Sequence, residues 1–305
     1  MDKKILVPLD GSELAEVALP YAEELALGLG AGIELFRVVT LPVYSEPIGG
    51  VYTVEQEIVA KSVAREYLEK VGSRFKEKGV ATRLEVICST AAEGIIDCAA
   101  NEEIDLVVLA THGHSGITRW AMGSVAYRVI RSTEKPIMLI RAKGQHPVTP
   151  GQGLVKKIVV PLDGSTESEA VIPHVSWLAA GLKAQVILFH ALAGGYHNIT
   201  VKGYEDTIYP EQQIASGKAF AEDYLTSIGK QLKEKGLVPT TEVRVGNAAE
   251  KIIDFASEVD ADMVAMSTHG RSGVSRWIFG SVAEKVLHEG NKPLLLVRSP
   301  GARTQ

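Results

Sequence analysis

The chain has 305 residues, enough for about two domains on the usual size range. Its 46% apolar and 23% charged residues are ordinary for a soluble globular protein, and a net charge of -5 lends no support to a nucleic-acid surface. No apolar run approaches the roughly 20 residues that span a bilayer.

The chain is expected to enter a strand at once, without a signal peptide. Residues 4–9 form a short apolar strand, and Gly11-Ser12 opens a helix through about residue 29, with Glu13 and Glu16 in its first turn, where acids suit the helix dipole. Gly28, Gly30 and Gly32 end a helix rather than follow a strand, so they read as C-cap and turn residues and not as a dinucleotide fingerprint. Residues 33–39 are a second strand, 40–54 a loop rich in Pro and Gly, and 55–78 a long amphipathic helix. Residues 80–88 alternate like a third strand, 90–101 are a short helix and 105–110 a fourth strand. A glycine-rich loop follows, then a helix over 124–132 and a fifth strand over 136–141. Cys88 and Cys98 are the only cysteines; without metal-ligand spacing they are expected to be free, mostly packed thiols of a cytoplasmic protein.

Residues 143–155 hold Gly and Pro and break the periodicity, as a linker does. Beyond them the same order of elements returns. Ile5-Leu-Val-Pro-Leu-Asp-Gly-Ser12 recurs as Ile158-Val-Val-Pro-Leu-Asp-Gly-Ser165, and Gly113 recurs as Gly270. A period of this size is a duplicated domain rather than a solenoid unit. The boundaries read as a first domain over 1–142, a second over 156–299 and a tail over 300–305. Alternating strands and helices with fully apolar strands imply an α/β fold, with one doubly wound parallel sheet in each of two tandem domains.

Two loops in each half carry the candidate chemistry. One follows the first strand, Pro8-Leu-Asp-Gly-Ser12 and Pro161-Leu-Asp-Gly-Ser165. The other follows the fourth strand, running from Ala110 through Gly113 to Gly123-Ser124, and from Ser267 through Gly270 to Gly280-Ser281. Ligands of open α/β sheets bind beyond the carboxyl ends of strands, where the winding reverses. If strands one and four are neighbours, both loops border one crevice. Loop glycines and a helix start offer backbone N–H groups to a phosphate. Asp10 and Asp163 can accept hydrogen bonds from a ribose or base, or help hold a phosphate-bound cation; the plainer reading is helix N-capping. For the glycines the plainer reading is a tight turn.

These residues resemble the universal stress protein family, in two successive copies over nearly the whole chain. Its nucleotide-binding members carry G-x2-G-x9-G-[ST], matched here by Gly113, nine residues, then Gly123 and Ser124, and by Gly270, nine residues, then Gly280 and Ser281. The resemblance implies a five-stranded parallel sheet per domain, Rossmann-like and adenine nucleotide alpha hydrolase-like. It implies ATP as ligand, with Mg2+ bound through the phosphates. It places Pro8, Asp10, Val38, Gly113, Gly123, Ser124 and Val125 at a first site, and Pro161, Asp163, Ala191, Gly270, Gly280, Ser281 and Val282 at a second. It also makes residues 136–141 and 293–298 candidate pairing edges, within the chain or in a homodimer. The first glycine of the pattern is Ala110 in one copy and Ser267 in the other, a departure that weakens binding if the position needs positive φ or the closest backbone approach.

Other repeated residues carry less. His112 and His269 read as loop-bracing, Arg119 and Arg276 as phosphate-neutralising or exposed, and Trp120 and Trp277 as packing. His190 has no histidine counterpart in the first copy. No P-loop, H-E-x-x-H or G-x-S-x-G motif occurs, and no nucleophile–base pair is recognisable. The expectation is an ATP-binding regulatory protein of the stress response, with one adenine nucleotide per domain and neither membrane nor nucleic acid as partner. The alternatives are an interaction scaffold with degenerate sites and a slow ATP hydrolase.

Overall fold

The computed structural model describes residues 3–40, 54–112, 122–141, 153–193, 210–270 and 279–299, with backbone alone for 210–213. The first copy runs β1 (Lys4–Pro8), α1 (Glu13–Glu16), α2 (Leu19–Leu29), β2 (Gly32–Val39), α3 (Val54–Lys76), β3 (Thr82–Cys88), α4 (Ala91–Ala99), β4 (Leu106–Ala110), α5 (Ser124–Ser132) and β5 (Ile137–Ile140). The second repeats it as β6 (Lys157–Pro161), α6 (Thr166–Glu169), α7 (Ile172–Leu182), β7 (Gln185–Leu192), α8 (Pro210–Glu234), β8 (Thr240–Val245), α9 (Ala248–Glu258), β9 (Met263–Ser267), α10 (Ser281–Glu289) and β10 (Leu294–Val297).

The single helix expected over 12–29 is two. Proline has no N–H, and its ring clashes with the carbonyl four residues back. Pro20 therefore sits in the first turn of α2, and α1 stops at Glu16; Pro173 does the same between α6 and α7. Of the three clustered glycines, Gly30 is the left-handed C-cap of α2 at φ 62°, Gly28 lies inside α2, and Gly32 starts β2. In the second copy Lys183 holds the same left-handed cap at φ 54°.

The chain divides into two compact units, Met1–Leu154 with Pro293–Val297, and Val155–Lys292 with Arg298–Gln305. In the first unit β1 pairs in parallel with β2 and β4, β2 with β3, and β4 with β5. The strand order β3-β2-β1-β4-β5 thus reverses its winding between β1 and β4. The unit's sixth strand is β10, from the second sequence copy, antiparallel to β5 with Leu294 opposite Leu139. The two candidate pairing edges therefore pair with each other inside one chain. In the second unit β6 pairs in parallel with β7 and β9, and β7 with β8.

The central strands β1, β4, β6 and β9 are buried along nearly their whole length, which is why they read as continuous apolar runs rather than alternating ones. Phe36, Leu35, Phe75 and Leu68 fill the first core, and Phe189, stacked on Phe255, anchors the second. The cysteines are free, but Cys88 is exposed, contrary to the packed expectation; it ends an edge strand. Cys98 is half-buried, and burial followed by the charge of Glu34 pushes its thiol up to about 12. No described helix is long and apolar enough to cross a membrane.

Candidate functional site

At the carboxyl ends of β1 and β4 a cavity of about 640 Å³ opens. Pro8 and Asp10 line it from the first loop, Val38 from β2, Ala110, Thr111 and His112 from the end of β4, and Gly123, Ser124 and Val125 from the start of α5. Gly113 lies outside the described residues, as do Arg119, Trp120, Arg276 and Trp277.

Asp10 is not the helix cap. Its Oδ1 accepts hydrogen bonds from Ser12 N (2.9 Å) and Ser12 Oγ (2.6 Å), and Ser12 Oγ in turn caps α1 by accepting from Ala15 N at 3.2 Å. Asp163 does the same for Ser165, at 3.0 and 2.6 Å, and Ser165 Oγ accepts from Ser168 N. The cap reading therefore belongs to the serines. Each aspartate fixes its serine through Oδ1 at the rim of the crevice.

α5 presents the opposite situation. No described side chain caps its N-terminus. Gly123 N donates to Thr111 O at 2.9 Å, which ties the helix start to the end of β4. The N–H groups of the first turn then have no intrahelical acceptor, and Gly123 to Ala126 border the cavity. A helix start without a cap is a place for an anion. α10 repeats this: Gly280 N donates to Thr268 O at 2.8 Å, and Ser281 and Val282 open a helix that no described side chain caps.

His112 and His269, expected to brace the loops, each face the threonine before them. Their Nδ1 atoms lie 3.0 and 3.1 Å from Thr111 Oγ1 and Thr268 Oγ1. In the second unit the Asp163 carboxylate lies against Gly270: a Cβ there would stand 2.1 Å from Asp163 Oδ2. Pro161 ends β6 below this contact, and Ala191 lies in β7 opposite Arg244 of β8. Ala110 and Ser267 are the last residues of β4 and β9, and neither has positive φ. The backbone-strain objection to these two residues is thereby removed. What remains is the bulk of one Cβ at the cavity wall.

Sequence reasoning missed Arg37, Tyr67 and Glu16. Tyr67 Oη donates to Glu16 Oε1 at 2.9 Å, and the Arg37 guanidinium lies over the Tyr67 ring, 4.8 Å from its centroid. Burial first, then the bond to Glu16, push the Tyr67 phenol far above its ordinary value, so it stays a donor. In the second unit Tyr224 Oη donates to Glu169 Oε1 at 3.0 Å, and His190 meets the Tyr224 ring edge-on at 6.4 Å. The available signal was a basic residue following a buried phenylalanine at the same repeat position, Arg37 in β2 and His190 in β7.

Away from the crevice, Glu34, Glu85 and Cys98 bring one potential ligand atom each within 4.8 Å of one another. Lys4 and Arg83 already face Glu34 at 3.7 and 3.8 Å. These cations balance the buried carboxylate and oppose a second positive charge, so the cluster is an internal ion network.

The universal stress protein family model matches residues 1–141 and again 155–298. A universal stress protein of Synechocystis is 25% identical over 97% of this chain and 100% of its own length. One from Methanocaldococcus jannaschii is 30% identical over 49% of this chain and 86% of its own length. The crystal structure of a universal stress protein from Archaeoglobus fulgidus has the same fold at 17% identity, with a TM-score of 0.72 over 97% of this chain and 98% of that one. The chain belongs to the universal stress protein family, whose domain it carries twice.

Proposed function

We propose that this protein is an ATP-binding regulator of the stress response, taking one adenine nucleotide per crevice with Mg2+ carried on the phosphates. The observation that supports it most is the shared cavity. The Asp10 turn, Val38 and the uncapped start of α5 border one space of about 640 Å³, a common size for a small-molecule site. In this reading Val38 and Ala191 meet adenine. Asp10 and Asp163 accept from the ribose. Gly113, Gly123, Ser124 and Val125, with Gly270, Gly280, Ser281 and Val282, cradle the phosphates.

Binding to the folded state alone stabilises a protein by roughly 2.7 kcal/mol at a hundredfold excess over Kd. A melt of the full chain with millimolar ATP and Mg2+ is therefore expected to shift upward by several degrees. An unchanged melting temperature in both unfolding transitions sinks the proposal.

A further inference from the structure

We infer that the two crevices differ in their preference for anionic nucleotides, and that residues 37 and 190 set the difference. The inference rests on the nucleotide reading above and adds a specificity determinant to it.

Arg37 is the only Lys or Arg among the described residues that line the first cavity. Its guanidinium is oriented without a carboxylate. Nη1 and Nη2 lie 3.0 Å from where a Cβ on Gly11 would stand, and the group is stacked on Tyr67. Among the described residues Arg37 has no ion-pair partner within 4.0 Å, and the nearby Glu16 accepts from Tyr67 instead. The charge is thus fixed in place by packing and left available to a ligand in the cavity. The neighbouring Asp10 is negative, so Arg37 also offsets a carboxylate that would otherwise repel phosphates.

The second unit repeats the acidic and tyrosine neighbours but not the cation. Asp163, Glu169 and Tyr224 stand where Asp10, Glu16 and Tyr67 stand, and His190, 5% exposed, replaces Arg37. Arginine carries a permanent charge at every physiological pH; a histidine does not. With an aspartate in each crevice and a permanent cation in one, a polyphosphate binds the first more tightly. A neutral nucleoside does not feel the difference to the same extent.

Calorimetric titration of the full chain with ATP plus Mg2+, and separately with adenosine, tests this. Wild type is expected to show two classes of ATP site. The Arg37→His variant, which installs the residue the second copy already tolerates, is expected to lose about tenfold in affinity at the tighter class, as removal of one nearby charge implies. His190→Arg is expected to tighten the weaker class by a comparable factor. The ATP-to-adenosine affinity ratio must move with each substitution. If wild type binds ATP but the ratio is the same in both variants, this inference is wrong while the nucleotide reading stands. If ATP and adenosine affinities fall together in Arg37→His, the arginine is structural and the inference is equally wrong. Binding of neither ligand to wild type overturns both.

Discussion

Gly270 has no room for a side chain, because the Asp163 carboxylate occupies the place where its Cβ would go. That carboxylate cannot simply rotate away, since its other oxygen holds Ser165 at the cap of α6. Gly270→Ala is therefore expected to force the two loops apart and abolish ATP binding at the second crevice while the first retains it. Titration stoichiometry reads this as one site in place of two. Asp10→Ala removes the acceptor that holds Ser12, and is expected to cost about 1 kcal/mol of stability, as loss of a helix cap does; urea denaturation measures it. Ala110 is different. It has ordinary strand backbone, so glycine there relieves no strain. Ala110→Gly should lower stability by roughly 0.5–1 kcal/mol, as glycine in regular structure does, and leave the ATP Kd within about threefold, since one Cβ is a small part of the contact surface. A large gain in affinity would favour the degenerate-site scaffold instead. Glu85 tests the ion network. Burial, then its bond to Glu34, raise its carboxyl above the usual range. A carboxyl raised in the folded state contributes stability at low pH that is lost as pH rises through the folded value. Glu85→Gln is thus expected to raise the melting temperature at about pH 7 and to have no such effect at about pH 4.

Among the elements, the least comfortable is the end of α7, where Lys183 takes the left-handed conformation that Gly30 takes at the end of α2. A non-glycine residue there costs about 1 kcal/mol, part of which glycine gives back through the unfolded chain. Lys183 is exposed and forms no described ion pair, so Lys183→Gly is expected to stabilise the protein by roughly 0.5 kcal/mol; a lower urea midpoint would contradict this. Strand and helix order was legible in the sequence because apolar runs and amphipathic periods alternate cleanly, and the repeat confirms each assignment once over. The break between α1 and α2 was also written there, in Pro20, but the helical pattern on either side concealed it. Two local details were not legible. Spacing alone does not distinguish an aspartate that caps a helix from one that buttresses the capping serine two residues on. Nor does it reveal that Arg37 turns onto Tyr67, 30 residues away along the chain, to line a cavity.

At the scale of the whole molecule, duplication supplies an internal comparison. Both copies keep the same contact in the Asp–Ser–helix start and in the glycine tied to the threonine carbonyl, so both units position these loops alike. Where they differ, at Arg37 and His190, the copies have room to specialise. Residues 137–140 and 294–297 pair antiparallel within one chain, so each copy's last strand has its partner without a second molecule. The nucleotide proposal puts one ligand between the end of β1 and the start of α5. A crystal structure of the full chain grown with ATP and Mg2+ tests it most directly. Adenine is expected against Val38, with phosphates at the N–H groups of Ser124 and Val125. Nucleotide bound elsewhere on the chain, or an empty crevice at saturating ATP, would contradict it.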